Sequence, residues 1–331
     1  MKQRVAIILA AGISSRMNTK LPKVLHEVCG RSMLAYVVDV CRQVGVDKMY
    51  VVVGYGGEEV RRCFADADDI VWVKQEKQLG TAHAVLCCKE HLADFDGQTM
   101  ILCGDGPLIR PQVLQSLIDK YEANGFAAVL ATAILDEPTG YGRIVRDRRG
   151  NIEAIVEHND CTDQQRKIKE VNPSYYLFNN KVLFETLAEV RADNVKGEYY
   201  LTDALAIILG KGHTISAVTA VRPEEAISVN DRQQLSTVAK VMQQRIQDAL
   251  MNEGVTIVDP ANTWIDVRAR IGQDTIIEPF TYIQGNVKIG KACRIGPFAF
   301  LVDGTVVEDN AVVKPCGMVC DDDSAAVGSN C

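Results

Sequence analysis

Two hydrophobic rhythms divide the chain near residue 232. Before that point, short apolar runs alternate with stretches whose apolar residues recur every third or fourth position. The runs are Val5–Leu9, Met49–Val53, Ile70–Val73, Thr99–Cys103 and Ala127–Ala133, each of strand length. Apolar residues at consecutive positions imply strands covered on both faces, as in a parallel sheet. The amphipathic stretches Met33–Val44, Glu58–Phe64, Thr81–Lys89 and Pro111–Ala123 read as the covering helices. Arg143–Asp147 and Ile152–Glu157 flank Arg148-Arg149-Gly150 and predict a hairpin inserted into this alternation. Such an insertion would build the second wall of an open-sheet cleft.

Beyond that point the rhythm lengthens. Over residues 233–251, Leu235, Val238, Met242, Ile246 and Leu250 form one helical stripe, which predicts a connecting helix. From Ile265 the period is six: Ile271, Ile277, Ile283, Ile289, Ile295, Leu301, Val307, Val313 and Val319 follow without a slip. Four positions after most of them comes a small or β-branched residue: Thr275, Thr281, Val287, Cys293, Ala299, Thr305, Ala311. A six-residue period suits neither a helix nor a strand ladder. It fits a parallel β-helix of roughly three coils with its aliphatic residues stacked inward. Stacking is expected to stop at Asp321-Asp322-Asp323 and the polar SAAVGSNC tail. The expected organisation is an α/β domain over 1–232, a connecting helix over 233–252 and the β-helix over 253–331.

The richest chemistry follows the first strand. In VAIILAAGISSRMNTKLPKVL, Ala10, Ala11 and Gly12 keep side chains away, so backbone amides can approach an anion. Arg16, Lys20 and Lys23 come next, a set suited to a nucleoside triphosphate. No GxxxxGK[ST] pattern occurs, so this is not a P-loop. Cys103-Gly104-Asp105-Gly106-Pro107-Leu108 ends a strand with a carboxylate, where open α/β sheets bind ligands. Asp105 is there placed to hold Mg²⁺ against phosphate oxygens, although an Asp in a turn is the plainer reading. Gln78-Leu79-Gly80-Thr81 sets a glycine and a hydroxyl at a helix start, an anion or base-edge site or simply a cap. Gly54-Tyr55-Gly56-Gly57 lacks the last glycine of GxGxxG and follows the second strand, which disfavours a dinucleotide site. Ser14 lies in GISSR rather than GxSxG, so acyl chemistry is not expected. His83 and His158 read as hydrogen-bonded structural groups.

Composition narrows the partners. A chain of 331 residues exceeds one ordinary core, in line with two domains. With 47% hydrophobic and 24% charged residues it is a globular composition, and no apolar run approaches the roughly 18 residues of a membrane span. A net charge of −7 leaves no basic footprint for nucleic acid. The opening MKQRVAIILAAG imitates a signal peptide, but a strand running into a loop explains it better. The 11 cysteines form no CxxC pairs, and Cys87-Cys88 fall on an expected helix, which points to a reducing cytoplasm. The Cys316/Cys320 spacing is compatible with a metal, but unpaired thiols are the simpler reading.

Taken together and in order, LAAGISSRM…LPKVL, QLGTAHAV, GDGPLI, PTGYGRIV, IVEHND, KGEYYLTD and SVNDRQQL closely resemble the N-acetylglucosamine-1-phosphate uridyltransferase family, the N-terminal half of the bifunctional GlmU proteins. The likeness runs from residue 3 to about residue 310. It implies a Rossmann-like nucleotidyltransferase domain with a mixed, mostly parallel sheet, followed by a short left-handed parallel β-helix. The implied reaction joins UTP and N-acetylglucosamine 1-phosphate, releasing pyrophosphate, by direct in-line attack without a covalent enzyme intermediate. By this resemblance Leu9, Ala11, Gly12, Gly104 and Asp105 line the nucleotide, and Gln75, Gly80 and Thr81 read uracil and ribose. Arg16 contacts the departing phosphates and Lys23 neutralises phosphate charge, which with Asp105 makes the catalytic set. Gly142, Glu157, Asn172, Tyr199, Thr202 and Asn230 lie at the sugar, and Asp105 and Asn230 are the implied Mg²⁺ ligands. Hexapeptide helices of this kind commonly form trimers, so a homo-oligomer through the β-helix is a further implication.

Several positions depart from the family pattern. Ser14 and Ser174 stand where glycine is usual, and Asn159 replaces the lysine of EHKD, which bears on the identity of the sugar. Phe300-Leu301-Val302-Asp303-Gly304 replaces a basic RLRPG segment, and the last histidine is His213, so no acetyltransferase activity is expected. Acetyl-CoA turnover with glucosamine 1-phosphate would overturn that. Three alternatives stay open: another sugar 1-phosphate or dTTP, a non-catalytic sugar-nucleotide sensor, and a hexapeptide acyltransferase.

Overall fold

The computed structural model describes residues 3–12 and 15–319. Ser14, Cys320, Asp321-Asp322-Asp323 and the rest of the tail lie outside them. The described chain divides into two compact units. One takes in residues up to His26 together with Ser32–Gln234, and the other holds Glu27–Arg31 with the chain from Leu235 onward. Periodicity gave no sign that Glu27–Arg31 belongs with the second unit. Gly30 there has φ +90°, and a Cβ on it would lie 1.7 Å from Asp266 Oδ2.

In chain order come β1 (Arg4–Ala10), the short strands β2 (Glu27–Val28) and β3 (Arg31–Ser32), of which Glu27–Arg31 belong to the second unit, and then, in the first unit, α1 (Met33–Gln43), β4 (Lys48–Val53), α2 (Gly57–Arg62) and β5 (Ile70–Lys74). It continues through α3 (Thr81–Leu86), α4 (Lys89–Leu92), β6 (Gln98–Cys103), α5 (Pro111–Asn124), β7 (Ala128–Ile134), β8 (Gly142–Arg146) and β9 (Ile152–Val156). β10 (Glu170–Asn179), α6 (Asn180–Leu187), α7 (Leu201–Gly210) and β11 (Ile215–Thr219) complete it. The sheet order is β11-β7-β10-β6-β1-β4-β5, with the β8–β9 hairpin joined through β10. β1 is parallel to β4 and β6, whereas β10 is antiparallel to both β6 and β7. Ala6 and Ile8 of β1 enter one apolar cluster and Val5 and Ile7 the other, so the strand is buried on both sides. Helix ends follow residue chemistry. α5 opens with Pro111 in its first turn and closes at Gly125 with φ 64°.

Besides α6, α7, β11 and the short β2 and β3, which were not individually expected, two elements differ from expectation. The stretch Thr81–Lys89 is broken, and Cys87 and Cys88 form the turn between α3 and α4 rather than lying within a helix. β10 was not foreseen, because Pro173 within EVNPSYYLFN speaks against a central strand. The sheet accommodates it with a register shift between Val171 and Tyr175, where Ser174 takes φ +66°.

α8 (Arg232–Asn252) follows, and the second unit then coils through paired two-residue strands from β12 (Thr256–Ile257) to β22 (Met318–Val319). They form three parallel sheets: β12-β15-β18-β21, β13-β16-β19-β22 and β14-β17-β20. Each strand pairs with the residue 18 further on, as Ile265 with Ile283 and Ile283 with Leu301. Three hexapeptides therefore close one coil, and Ile265, Ile277, Ile283, Ile295 and Leu301 are fully buried at its centre. Corners at Asp274, Ala292 and Asn310, and at Phe280, Phe298 and Cys316, adopt positive φ. None of these residues is β-branched, in keeping with the steric cost of that region. Outside the coil, Phe280 stacks on Phe298 at 4.9 Å and Trp264 on Tyr282 at 6.4 Å. On α8, Gln243 and Gln247 are buried beside the apolar stripe. Gln243 Nε2 donates to Ile265 O at 2.5 Å and Gln247 Nε2 to Thr263 O at 2.8 Å.

Candidate active site

The carboxyl ends of β1 and β6 lie side by side and deliver the loops after Ala10 and Cys103 to one place. A cavity of about 370 Å³ opens there, lined by Leu9, Ala11, Gly12, Lys23, Gln75, Gly80, Thr81 and Asp105 among others. These are the residues that the sequence assigned to the nucleotide, Gly104 excepted. Gly104 instead donates its amide to Leu9 O at 2.9 Å, tying the two strand ends together. Arg16 lies exposed in the turn Ser15–Met17, outside the cavity lining.

Lys23 joins the charged groups. Its Nζ donates to Asp105 Oδ2 and, at 3.3 Å, to Asn230 Oδ1, so two oxygens far apart in sequence converge on one positive charge. The Lys23 and Asp105 side chains are each 14% exposed, which keeps this interaction largely out of water. Asp105 Oδ1 is buried with no hydrogen-bond partner. A carboxylate oxygen left unengaged in a polar cleft fits a hard divalent cation, for which Asn230 Oδ1 is a second oxygen donor. Among the described residues no cluster of three or more His, Cys, Asp or Glu could form a cage made by protein alone. Phosphate and water oxygens would therefore complete the coordination of any such ion.

The opposite wall has its own polar groups. Gln75 is buried, and its Nε2 reaches Gly80 O at 3.3 Å and His83 Nδ1 at 2.9 Å, so His83 is the structural partner the sequence suggested. Thr81 does not cap its helix through the side chain. Its Oγ1 accepts the Leu201 amide at 2.9 Å, while Tyr199 N donates to Leu79 O at 2.8 Å and Ala82 N to Tyr199 O at 2.9 Å. Tyr199 is thus held through its backbone while its side chain stays exposed. Cys103, Gln78 and Glu198 also line the cavity; each lies within a motif quoted from the sequence but was given no role there. Burial first, and then the Asp105 charge, push the Cys103 thiol up to about 12, which removes it as a nucleophile.

A second cluster gathers around Glu157. Gly142 pairs with Asn172 across β8 and β10, and a Cβ on Gly142 would stand 3.5 Å from Glu157 Oε1. Thr202 Oγ1 donates to Glu157 Oε1 at 3.1 Å, and Asn172 Nδ2 donates to Tyr176 Oη at 2.6 Å. Gly142, Glu157, Asn172 and Thr202 are therefore brought together as the sequence reading required. His158 contacts the buried Arg143 at 3.4 Å, a structural role. Burial raises the Glu157 pKa, only partly offset by the Thr202 hydrogen bond. The folded protein thus holds this proton to higher pH than the unfolded chain, and stability falls as pH rises from the ordinary carboxylate range through the raised value. Glu157→Gln lacks that dependence. Its stability relative to wild type is expected to rise with pH above the ordinary carboxylate range, by roughly 1.4 kcal/mol per tenfold difference in proton affinity between the folded and unfolded chain. A difference flat in pH would contradict a buried, ionising Glu157.

Comparison with known proteins accords with this geometry. Residues 6–197 match the MobA-like NTP transferase domain, and residues 268–303 match the bacterial transferase hexapeptide of six repeats. The bifunctional protein GlmU of Geobacillus sp. (strain WCH70) is 48% identical over 303 residues, covering 92% of this chain and 66% of that protein. The bifunctional protein GlmU of Listeria welshimeri is 44% identical over 308 residues, covering 93% of this chain and 67% of that protein. The chain spans about two thirds of the length of these relatives. Among solved structures, UDP-glucose pyrophosphorylase complexed with UDP-glucose aligns with a TM-score of 0.59 at 15% identity, over 74% of this chain and all of that one. Its apo form gives 0.62 at 16% identity, over 74% of this chain and 99% of that one. At such identities these structures establish the fold alone. No helix among the described residues is long and apolar enough to cross a membrane.

Proposed function

Because the chain belongs to the MobA-like NTP transferase family and is a homologue of the bifunctional GlmU proteins, we propose that it transfers the uridylyl group of UTP to N-acetylglucosamine 1-phosphate. A phosphate oxygen of the sugar attacks the α-phosphorus, the bond to the β-phosphate breaks, and pyrophosphate departs in line with the attack. The observation that carries this reading is the convergence of Lys23, Asp105 and Asn230 at the mouth of β1 and β6.

The protein has little covalent chemistry to perform here. Two anions must be pressed together and the leaving group stabilised, so placed charge is the main resource. Lys23 faces the phosphates and offsets their repulsion, with Arg16 assigned to the departing pyrophosphate. Small residues at Ala11 and Gly12 let backbone amides approach phosphate oxygens. Gln75, Gly80 and Thr81 hold the base and ribose, and Gly142, Glu157, Asn172 and Thr202 hold the amino sugar. Mg²⁺ would be held by Asp105 and Asn230 and would supply further neutralisation of the triphosphate.

One feature favours a second reading, the same reaction with a different sugar 1-phosphate. Ser174, at φ +66°, carries a side chain beside Asn172 where a glycine would leave open space. Assembly through the β-helix and the lack of acetyl transfer are part of the proposal. The latter rests on residues 253–319, which contain no histidine to serve as a base. The deciding experiment is pyrophosphate release with UTP, Mg²⁺ and N-acetylglucosamine 1-phosphate, repeated with other nucleotides and sugar phosphates. Release with this pair at least tenfold above the alternatives is expected. Equal rates across the panel, or none, would overturn the proposal.

A further inference from the structure

Five residues after Asp105 stands Arg110, and five before Asn230 stands Glu225. The structure pairs them, with Arg110 Nε against Glu225 Oε1; the Glu225 side chain is 0% exposed and that of Arg110 29%. Glu225 Oε2 accepts the Arg222 amide at 3.2 Å. The surrounding backbone is anchored as well. Tyr175 Oη donates to Glu225 O at 3.3 Å and Tyr141 Oη to Ala226 O at 3.2 Å. Between the two loops themselves, Val229 N donates to Asp105 O at 3.0 Å.

Neither Arg110 nor Glu225 lines the nucleotide cavity, and neither enters the reaction proposed above. A wholly buried carboxylate is an expensive way to gain stability, since apolar residues of similar volume usually serve as well or better. What the pair supplies is a fixed relation between two loops more than a hundred residues apart. We infer that Arg110 and Glu225 are positioning residues, a buried clamp that sets the distance between Asp105 and Asn230 and thereby the affinity of the site for a divalent cation. This rests on the reading of Asp105 and Asn230 as the cation's ligands.

The test is direct binding of Mn²⁺ to the full chain with UTP present, read from water-proton relaxation enhancement, which separates protein-bound from UTP-bound Mn²⁺, with unfolding midpoints measured in parallel. Glu225→Gln keeps the shape but not the charge, and is expected to weaken Mn²⁺ about tenfold or more, as loss of a ligand-orienting partner commonly does. The double variant Arg110→Met/Glu225→Met leaves no buried charge unpaired, so it is expected to keep its midpoint while binding Mn²⁺ as weakly as Glu225→Gln. Should Glu225→Gln not fold, the double variant decides. Wild-type Mn²⁺ affinity in the folded variants, whatever their midpoints, would overturn the clamp. Asp105→Asn serves as the control. If it lacks Mn²⁺ binding while the clamp variants retain it, the clamp alone falls; if it too binds normally, the ligand assignment falls and takes the clamp with it.

Discussion

Asp105→Ala and Lys23→Ala are each expected to lower pyrophosphate release about 10²- to 10³-fold with little change in circular dichroism. The two residues share one interaction but fail in different ways. Without Lys23, only the metal would stand between the Asp105 carboxylate and the triphosphate, and much of their repulsion returns. Two like charges about 4 Å apart at the effective dielectric of a protein surface cost roughly 4 kcal/mol, a factor near 10³. That repulsion acts on nucleotide binding as well as on turnover, so KM for UTP should rise while kcat falls. Without Asp105, Lys23 keeps only the Asn230 contact at 3.3 Å, and the buried oxygen set aside for a cation is lost. Added metal should then fail to restore the rate, whereas it should partly restore Lys23→Ala. Steady-state rates over a metal titration separate the two. Near wild-type turnover in both variants would remove the basis of the proposed site.

The cavity at β1 and β6, proposed as the nucleotide half of the site, was legible because strand and loop chemistry coincide. Aliphatic runs buried on both faces marked β1 and β6, and a parallel sheet must bring their carboxyl ends together. The β-helix was legible for a different reason: its six-residue period has no competing explanation in a helix or a ladder. The cluster around Glu157, proposed as the sugar half, was reached through resemblance alone. Glu157 follows β9 and Thr202 lies in α7, 45 residues on, and no local pattern announces that they will touch. β10, which carries Asn172, was hidden by Pro173, a residue that ordinarily excludes a central strand. It is admitted here only because the strand bulges at that point. Gln243 and Gln247 likewise look like the solvent face of α8 until their hydrogen bonds to the backbone of the coil are seen. Glu157, Gln243 and Gln247 were hidden because each is satisfied by a partner distant in sequence, whereas β10 was hidden by a local bulge.

Gly80→Ala probes whether the two halves depend on one another. Gly80 has φ +114°, and a Cβ there would lie 2.5 Å from Tyr199 O and 2.7 Å from Tyr199 N. Backbone cannot swing aside as a long side chain does, so the segment around Tyr199 must move. It would carry with it the Tyr199–Leu79, Ala82–Tyr199 and Leu201–Thr81 bonds, and then Thr202, whose hydroxyl serves Glu157. The expected outcome is a stability loss of roughly 1–3 kcal/mol from the strained backbone and the broken bonds. The kcat/KM for both substrates should fall about a hundredfold, since small misplacements of this kind are costly to a positioned reaction. Gly125→Ala is the matched control, with φ +64° and nothing within 4 Å of an added Cβ. It should lose stability through backbone conformation alone and leave catalysis intact. If Gly80→Ala retains the activity of Gly125→Ala, the Tyr199 segment does not couple the nucleotide to the sugar, and the two clusters act as separate sites.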